Sequence, residues 1–569
     1  MMSVIARPMP LLRVGVALAL AGGAAALQAQ NARPGNPLDQ LPAPAPVPAP
    51  RDPAPRVELR APAGPTGNRL EQSFTATRFD IEGVRALPFE RVAALFAPLA
   101  GRPTTAAQLV QRATEASALY RDAGHPLSFV FVPDQTFAGG VVRVVAVEGY
   151  LSGLRIEGDA GPATPKLREI AAPLLAERPL RQATFERVTQ LLARMPGLTV
   201  AATASMPGTT DGATELVLKV KRVPYDVSLG ADLRQPRSRA VLNGVWNDPF
   251  VAGGQLSAST LVGDFSREKL FTLGYTQLVG ADGLAWRTSL TRYSGYPDSR
   301  LGRGAPLERR NTNQRAELSA SQPLRLDARG SLTLNGGFYA VDNSDDYRVP
   351  ANGVTLSEDT RVRALFAQLA YVDATPGRSR SASALLAHGI DGLGARAVVR
   401  SNIDALNGVG LAQTDFTRVT FDASQRDRFS GGWGTGVSFG GQYSGQSLAA
   451  SERIAFGGPR FARGYAPGDG AGDAGWGVGV EFNRQFALDL PWLRQVEPYV
   501  LLEAARVSTR YGEPLPRELR SMALGLRVSD ARHYSIDVAV AKPTGDAALN
   551  NPLRKTRVSL QLSYRLSAP

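Results

Sequence analysis

From Pro224 onward the chain alternates apolar and polar residues with a period of two, a pattern that leaves few folds open. Tyr225, Val227, Leu229, Ala231 and Leu233 interleave with Asp226, Ser228, Gly230, Asp232 and Arg234. Phe271, Leu273 and Tyr275 alternate with Thr272, Gly274 and Thr276, and Met522, Leu524, Leu526 and Val528 with Ala523, Gly525, Arg527 and Ser529. The last run is the most regular, with Val558, Leu560, Leu562, Tyr564 and Leu566 separated by Ser559, Gln561, Ser563 and Arg565. Successive side chains of a strand point to opposite faces, so each run reads as a strand with one apolar and one polar face.

Alternation alone fits a sandwich with one wet face as well as a membrane barrel. Three features favour the barrel. The runs approach the ~9–11 residues that a tilted strand needs to cross a bilayer. Their polar faces carry Arg, Asp and Gln, as a water-filled lumen requires, and aromatic residues recur near their ends as girdles would. The third feature is an export signal with no stop-transfer helix behind it, because a closed barrel is the other way to span a membrane. Residues 223–569 have room for about 16 strands at roughly 22 residues each with turns and loops.

The export signal lies at residues 1–29. Arg7 and Arg13 precede the apolar run Val14 to Leu27, and small residues follow, ending near Ala29. That run is shorter than the ~20 residues of a spanning helix. Residues 30–72 are dominated by Pro and Ala, with Leu-Pro-Ala-Pro-Ala-Pro-Val-Pro-Ala-Pro at Leu41 to Pro50. Proline fixes its own φ and lacks an amide donor, so an extended linker without a core is expected there.

Composition excludes several functions. With 569 residues, 43% of them hydrophobic, and a mean hydropathy of −0.13, the chain lacks the profile of a helical membrane protein. Its formal charge of +13 comes without a Lys/Arg-rich run, so no nucleic-acid partner is expected. Cysteine is absent and only 3 His are present, which leaves no thiol chemistry or disulfide and argues against a zinc site.

Between linker and barrel the residues repeat. Phe79-Asp-Ile-Glu-Gly83 returns as Leu154-Arg-Ile-Glu-Gly158, and Pro98-Leu-Ala-Gly-Arg-Pro103 returns with one insertion as Pro173 to Pro179. In the first unit, 73–149, a strand around Phe79 and Ile81 leads to a helix with Val92, Leu95, Phe96 and Leu99 on one face. A second helix starts at Thr105, where Thr105 and Gln108 have capping-box spacing, and stops at Gly124. Strands at Leu127 to Val132 and Val141 to Val147 close the unit. The second unit, 150–222, repeats the order with a strand at Leu154 and Ile156, helices near Leu167 to Leu175 and Phe185 to Ala193, and strands at Leu198 to Ala202 and Glu215 to Lys221. This order resembles the polypeptide-transport-associated (POTRA) domain, twice in tandem. The resemblance implies a periplasmic module that captures extended polypeptide at a sheet edge, which offers unpaired backbone groups.

One stretch fits neither pattern. Glu452 to Trp476 is too rich in Gly and Pro for a helix or central strand and too long for a turn, and loops of that length are usually functional or disordered. Two motifs nearby mislead. Gly436-Val-Ser438-Phe-Gly440 has nucleophile-elbow spacing but sits in an alternating run, so it reads as small residues in a barrel wall. Gly470 to Gly475 has the spacing of a dinucleotide fingerprint without its strand and helix, and the stretch with Asp469 and Asp473 reads as a solvated, mobile loop tip. No catalytic, cofactor or metal site is expected, and the chain does not read as an enzyme.

Phe456-Gly457-Gly458-Pro459 followed by Arg463-Gly464-Tyr465 resembles the long sixth-loop motif of polypeptide-transporting outer-membrane barrels. With the two POTRA-like units, the whole layout resembles the two-partner secretion transporters of the ShlB/FhaC/HecB (haemolysin secretion/activation) family. The resemblance implies an α+β pair of POTRA repeats followed by an all-β transmembrane barrel, in the outer membrane of a Gram-negative bacterium. It implies that the loop folds back into the barrel, where its Arg pairs with a carboxylate on an inward-facing strand. Arg463 takes the Arg position, and Tyr499-Val-Leu-Leu-Glu503-Ala-Ala505 matches the strand motif, which makes Glu503 the candidate partner. Glu503 stands where the family usually has Asp, Ala505 where it has Gly, and Ala462 where Val is common. The implied partners are a large secreted exoprotein with an N-terminal secretion domain, outer-membrane lipid, and the barrel-assembly machinery during biogenesis. A BamA-like insertase shares barrel and loop and is the alternative, with a simple diffusion pore as a third reading.

Overall fold

The fold is described from a computed structural model, covering residues 56–58, 73–233, 238–263, 265–296, 308–514 and 516–566. The expected signal peptide and most of the Pro-rich segment lie outside these residues. One piece of that segment departs from the expected unpaired linker: Arg56–Glu58 pairs in parallel with Leu198–Ser205 at the edge of the second unit's sheet. Arg56 to Arg60 contains no Pro, so its backbone amides are free to join a ladder.

The first unit packs helices Phe89–Phe96 and Ala106–Asp122 on a three-stranded sheet of Arg78–Glu82, Val141–Val147 and Phe129–Phe131, with Val141–Val147 in the middle. Thr105 caps the second helix in a capping box: its hydroxyl accepts from the Gln108 backbone N–H, and the Gln108 side-chain oxygen accepts from the Thr105 backbone N–H. Val92, Phe96, Leu109, Tyr120 and Val144 form the core. Glu148 accepts from the Arg85 and Ala86 amides and from the Tyr120 hydroxyl. Burial, reinforced by the Glu148 charge, holds that hydroxyl well above its ordinary pKa.

The second unit has the same order of elements: Tyr150–Gly158, helices Thr164–Ala176 and Gln182–Ala193, then Leu198–Ser205 and Ala213–Arg222. The repeated Ile-Glu-Gly has a steric cause. Gly83 and Gly158 end the first strand of their units at φ 84° and 95°, and a Cβ there would stand 2.2 Å from Ala146 O and 2.1 Å from Val220 O.

From Tyr225 to Arg565 the strands close into an antiparallel barrel of sixteen staves. The first is Tyr225–Asp232 and the sixteenth Arg557–Arg565, and these two pair with each other. Three short segments, Arg396–Ser401, Gly408–Val409 and Phe486–Leu490, add to the wall without forming staves of their own. Alternation maps onto the two faces. On the fourteenth stave, Glu518–Ser529, Met522 and Leu524 are exposed on the outside while Ser521 and Ala523 are buried within. Among the described residues no helix is long and apolar enough to cross a membrane.

The sixth to eighth staves, Glu308–Leu326, Gly330–Val349 and Val354–Thr375, are far longer than a bilayer requires, at 19, 20 and 22 residues. Their extensions run away from the N-terminal units and are held by a buried polar ladder, with Arg309 paired to Asp345 and Asn311 donating to Asn343. At the other end, the helix Gln182–Ala193 docks on the barrel turns. Leu191 packs in one core with Leu326, Ala252 and Leu278, Glu186 accepts from the Ala328 amide, and Arg187 donates to Asp282 O.

Candidate functional site

The loop between the eleventh stave, Trp433–Ser444, and the twelfth, Ala474–Arg484, folds into the lumen. It is shorter at its end than the sequence suggests, because Ala474, Gly475 and Trp476 already belong to the twelfth stave. The Gly-rich tract is also not a solvated tip. Ile454–Phe456 and Gly470–Gly472 form a buried two-stranded ladder, and Asp473 is only 1% exposed. Glycines there admit close backbone packing, which sequence-level reading takes for mobility.

Two carboxylates fix the base. Glu452 accepts from the Tyr339 hydroxyl at 2.7 Å and pairs with Arg418 at 3.2 Å. Asp473 accepts from the Leu448 and Arg510 amides at 2.8 and 2.7 Å and pairs with Arg453 at 3.4 Å. Between them Phe456, Phe461, Ala462 and Tyr465 pack against Ala505, Val507 and Leu519 of the wall. Gly440, Gly477 and Gly479 flank the Phe461 ring from the wall, where a Cβ would come within 3.0, 2.7 and 3.7 Å of it. That is the role of the last residue in the hydrolase-like motif.

At the tip the chain turns sharply. Gly457 and Gly458 have φ of 109° and 65°, and the non-glycine residues Phe461 and Ala462 are also left-handed, at 54° and 60°. This conformation costs energy for residues with a Cβ and persists only where packing dictates it. Gly464 passes so close to the wall that a Cβ would lie 2.6 Å from Pro543 N, and Tyr465 anchors the turn by donating to Asp546 O at 2.8 Å.

Arg463 and Glu503 do meet, though not as the expected side-chain pair. Glu503, on the thirteenth stave Leu493–Ser508, accepts from the backbone N–H of Arg463 at 2.7 Å and from the Ser521 hydroxyl at 2.8 Å. The Arg463 guanidinium reaches further, to the Tyr499 hydroxyl at 2.5 Å and to Asp537 at 3.3 Å on the fifteenth stave, Tyr534–Pro543. The cause is the depth of the loop. The turn brings the main chain of residue 463 against Glu503, and the long side chain overshoots it.

Asp537 is shared. It also accepts from the Tyr499 hydroxyl at 2.6 Å and faces Arg527 at 3.5 Å, and Arg527 grips Glu481 through two contacts of 2.7 and 2.6 Å. Sequence reasoning overlooked Asp537, Arg527, Tyr499 and Glu481 as site residues. Their signal is charge or hydroxyl at inward positions of neighbouring alternating runs, visible only once the register is known. The arrangement holds the loop against the inner wall by charge-assisted bonds.

Residues 265–528 match the model of the haemolysin secretion/activation protein ShlB/FhaC/HecB, and residues 74–149 match the ShlB-type POTRA domain. The chain belongs to the ShlB/FhaC/HecB family. It is thus an outer-membrane transporter, with the POTRA end of the barrel on the periplasmic side. Its fold is similar to that of CdiB from Escherichia coli, at 17% identity over 90% of this chain and 94% of that one, with a TM-score of 0.65. CdiB from Acinetobacter baumannii aligns over 99% and 100% at 16% identity and a TM-score of 0.56. BamA from Haemophilus ducreyi lacking POTRA domains 1–3 aligns over 87% and 100% at 14% identity and a TM-score of 0.51. No curated protein sequence matches the chain.

Proposed function

We propose that this transporter receives one unfolded exoprotein at its periplasmic units and passes it through the lumen, with the Arg463 loop as a plug that yields to the passenger. Residues 150–222 serve as a second POTRA domain, and their helix Gln182–Ala193, docked on the barrel turns, places captured chain at the channel mouth. The observation that carries the reading is the placement of Arg463, Gly464 and Tyr465 inside the barrel, bonded to side chains and backbone of the thirteenth and fifteenth staves and the segment beyond. A charge-assisted pair whose carboxylate has other partners is worth about 1–3 kcal/mol, enough to bias an equilibrium and too little to lock it.

The test is to co-express the chain with a large candidate exoprotein that carries an N-terminal secretion domain and measure export into the medium. Export should require the chain and fall at least tenfold in Arg463→Ala with the barrel still inserted. Export that is unchanged without the chain would overturn the proposal. Loss of many other barrels on depletion would point to the insertase instead.

A further inference from the structure

The outer wall of the first five staves carries a groove that neither loop nor channel uses. Gly244 and Ala258, register neighbours on the second and third staves, form its floor, and Leu242, Phe271 and Leu273 stand around it. Its volume is about 660 Å³, and a Cβ on Gly244 would meet nothing within 4 Å, so the floor opens onto free space. One exposed cation lines it, Arg292 on the fifth stave, Leu284–Gly295, and a second exposed cation, Lys269, stands next along the outer face on the fourth, Glu268–Val279. Arg292 faces Phe271 and Lys269 faces Ser294, so the two cations are diagonal neighbours on one face. Among the described residues neither has an ion-pair partner. The adjacent carboxylate, Glu268, points into the lumen and is held by Arg239 and Tyr293.

Their depth makes these charges unusual. Tyr225, Trp246, Phe250 and Tyr275 form a chain of aromatic contacts at the periplasmic rim, and Trp286 is exposed on the fifth stave opposite Gln277, two residues from Tyr275. Lys269 and Arg292 each stand six residues from that belt, counted from Tyr275 and Trp286. Six residues of tilted strand rise roughly 15 Å, whereas the apolar band of such barrels is about 25 Å tall. Both cations therefore start within the apolar band, where a charge without a counter-ion is costly even when its stem snorkels outward.

We propose that this groove binds one anionic, phosphate-bearing lipid of the outer leaflet. An acyl chain lies over Gly244 and Ala258, and the phosphate sits between Lys269 and Arg292. The guanidinium offers a planar fork and the ammonium a point charge, the usual pair of donors for a phosphate. The full chain, purified in neutral detergent, is to be offered phosphatidylglycerol and phosphatidylcholine with identical acyl chains, and retained lipid read by native mass spectrometry. Phosphatidylglycerol should be retained about fivefold better or more, and excess inorganic phosphate should not displace it. Lys269→Gln with Arg292→Gln should abolish the preference, Lys269→Arg with Arg292→Lys should keep it, and Gly244→Leu should lower retention of both lipids. If the double variant fails to fold, judged by its heat-dependent gel migration, Arg292→Gln alone serves with the same readout. Equal retention of the two lipids, a preference that survives loss of the charges, or displacement by inorganic phosphate would each overturn the proposal.

Discussion

The base and the tip of the lumen loop are both held by carboxylates, yet they differ in what remains when the loop leaves. At the base, Glu452 and Asp473 are each 1% exposed and belong to the loop itself. Withdrawing them would strip Arg418 and Tyr339 of a buried partner and leave the Arg510 amide without an acceptor. At the tip, the carboxylates belong to the wall and have second partners. Asp537 keeps Tyr499 and Arg527, and Glu503 keeps Ser521, if Arg463 departs. Breaking a buried pair from one side costs several kcal/mol, whereas releasing a pair whose carboxylate keeps other partners costs about 1–3 kcal/mol. One loop thus combines a fixed root with a releasable end.

The comparison can be broken most forcefully at the root. Asp473→Ala should remove about 3–5 kcal/mol of stability, read as a lower temperature for loss of the compact gel band, and should deplete barrel from the membrane. At the tip, Arg463→Ala should reduce export at least about tenfold while the folded barrel stays at its normal level. Equal loss of barrel in the two variants would erase the distinction between root and tip.

Charge exchange sharpens the assignment of partners. Arg463→Asp combined with Asp537→Arg should recover part of the lost export, because the guanidinium pairs with Asp537. Arg463→Glu combined with Glu503→Arg should recover none, because Glu503 meets a backbone amide that any residue at 463 supplies. The smallest effect belongs to Glu503→Gln. Its carbonyl oxygen still accepts from the Arg463 amide, so a cost of about 1 kcal/mol and a change in export below roughly threefold are expected.

Much of the fold was legible because its signals are local. Period-two alternation needs only the geometry of a strand, and it marked the barrel from Tyr225 to Arg565. The Thr105 capping box and the stop at Gly124 follow from backbone donors within one turn of helix. The Ile-Glu-Gly repeat was legible as a repeat, although its reason, a glycine pressed against a neighbouring carbonyl, was not.

The sequence by itself determined the alternation that divides the two faces of each barrel strand and set Glu452 to Trp476 apart from it, and the resemblance of its motifs to a known family singled out Arg463 and Glu503. Tertiary structure alone decided how they touch. A side-chain partner across a barrel depends on closure, register and the depth to which the loop descends, none of which is a property of neighbouring residues. So the guanidinium of Arg463 passes Glu503 and finds Asp537, 74 residues along the chain, two staves away around the wall. The Gly-rich tract became a buried ladder for the same reason: only a surrounding wall gives closely packed glycines something to pack against.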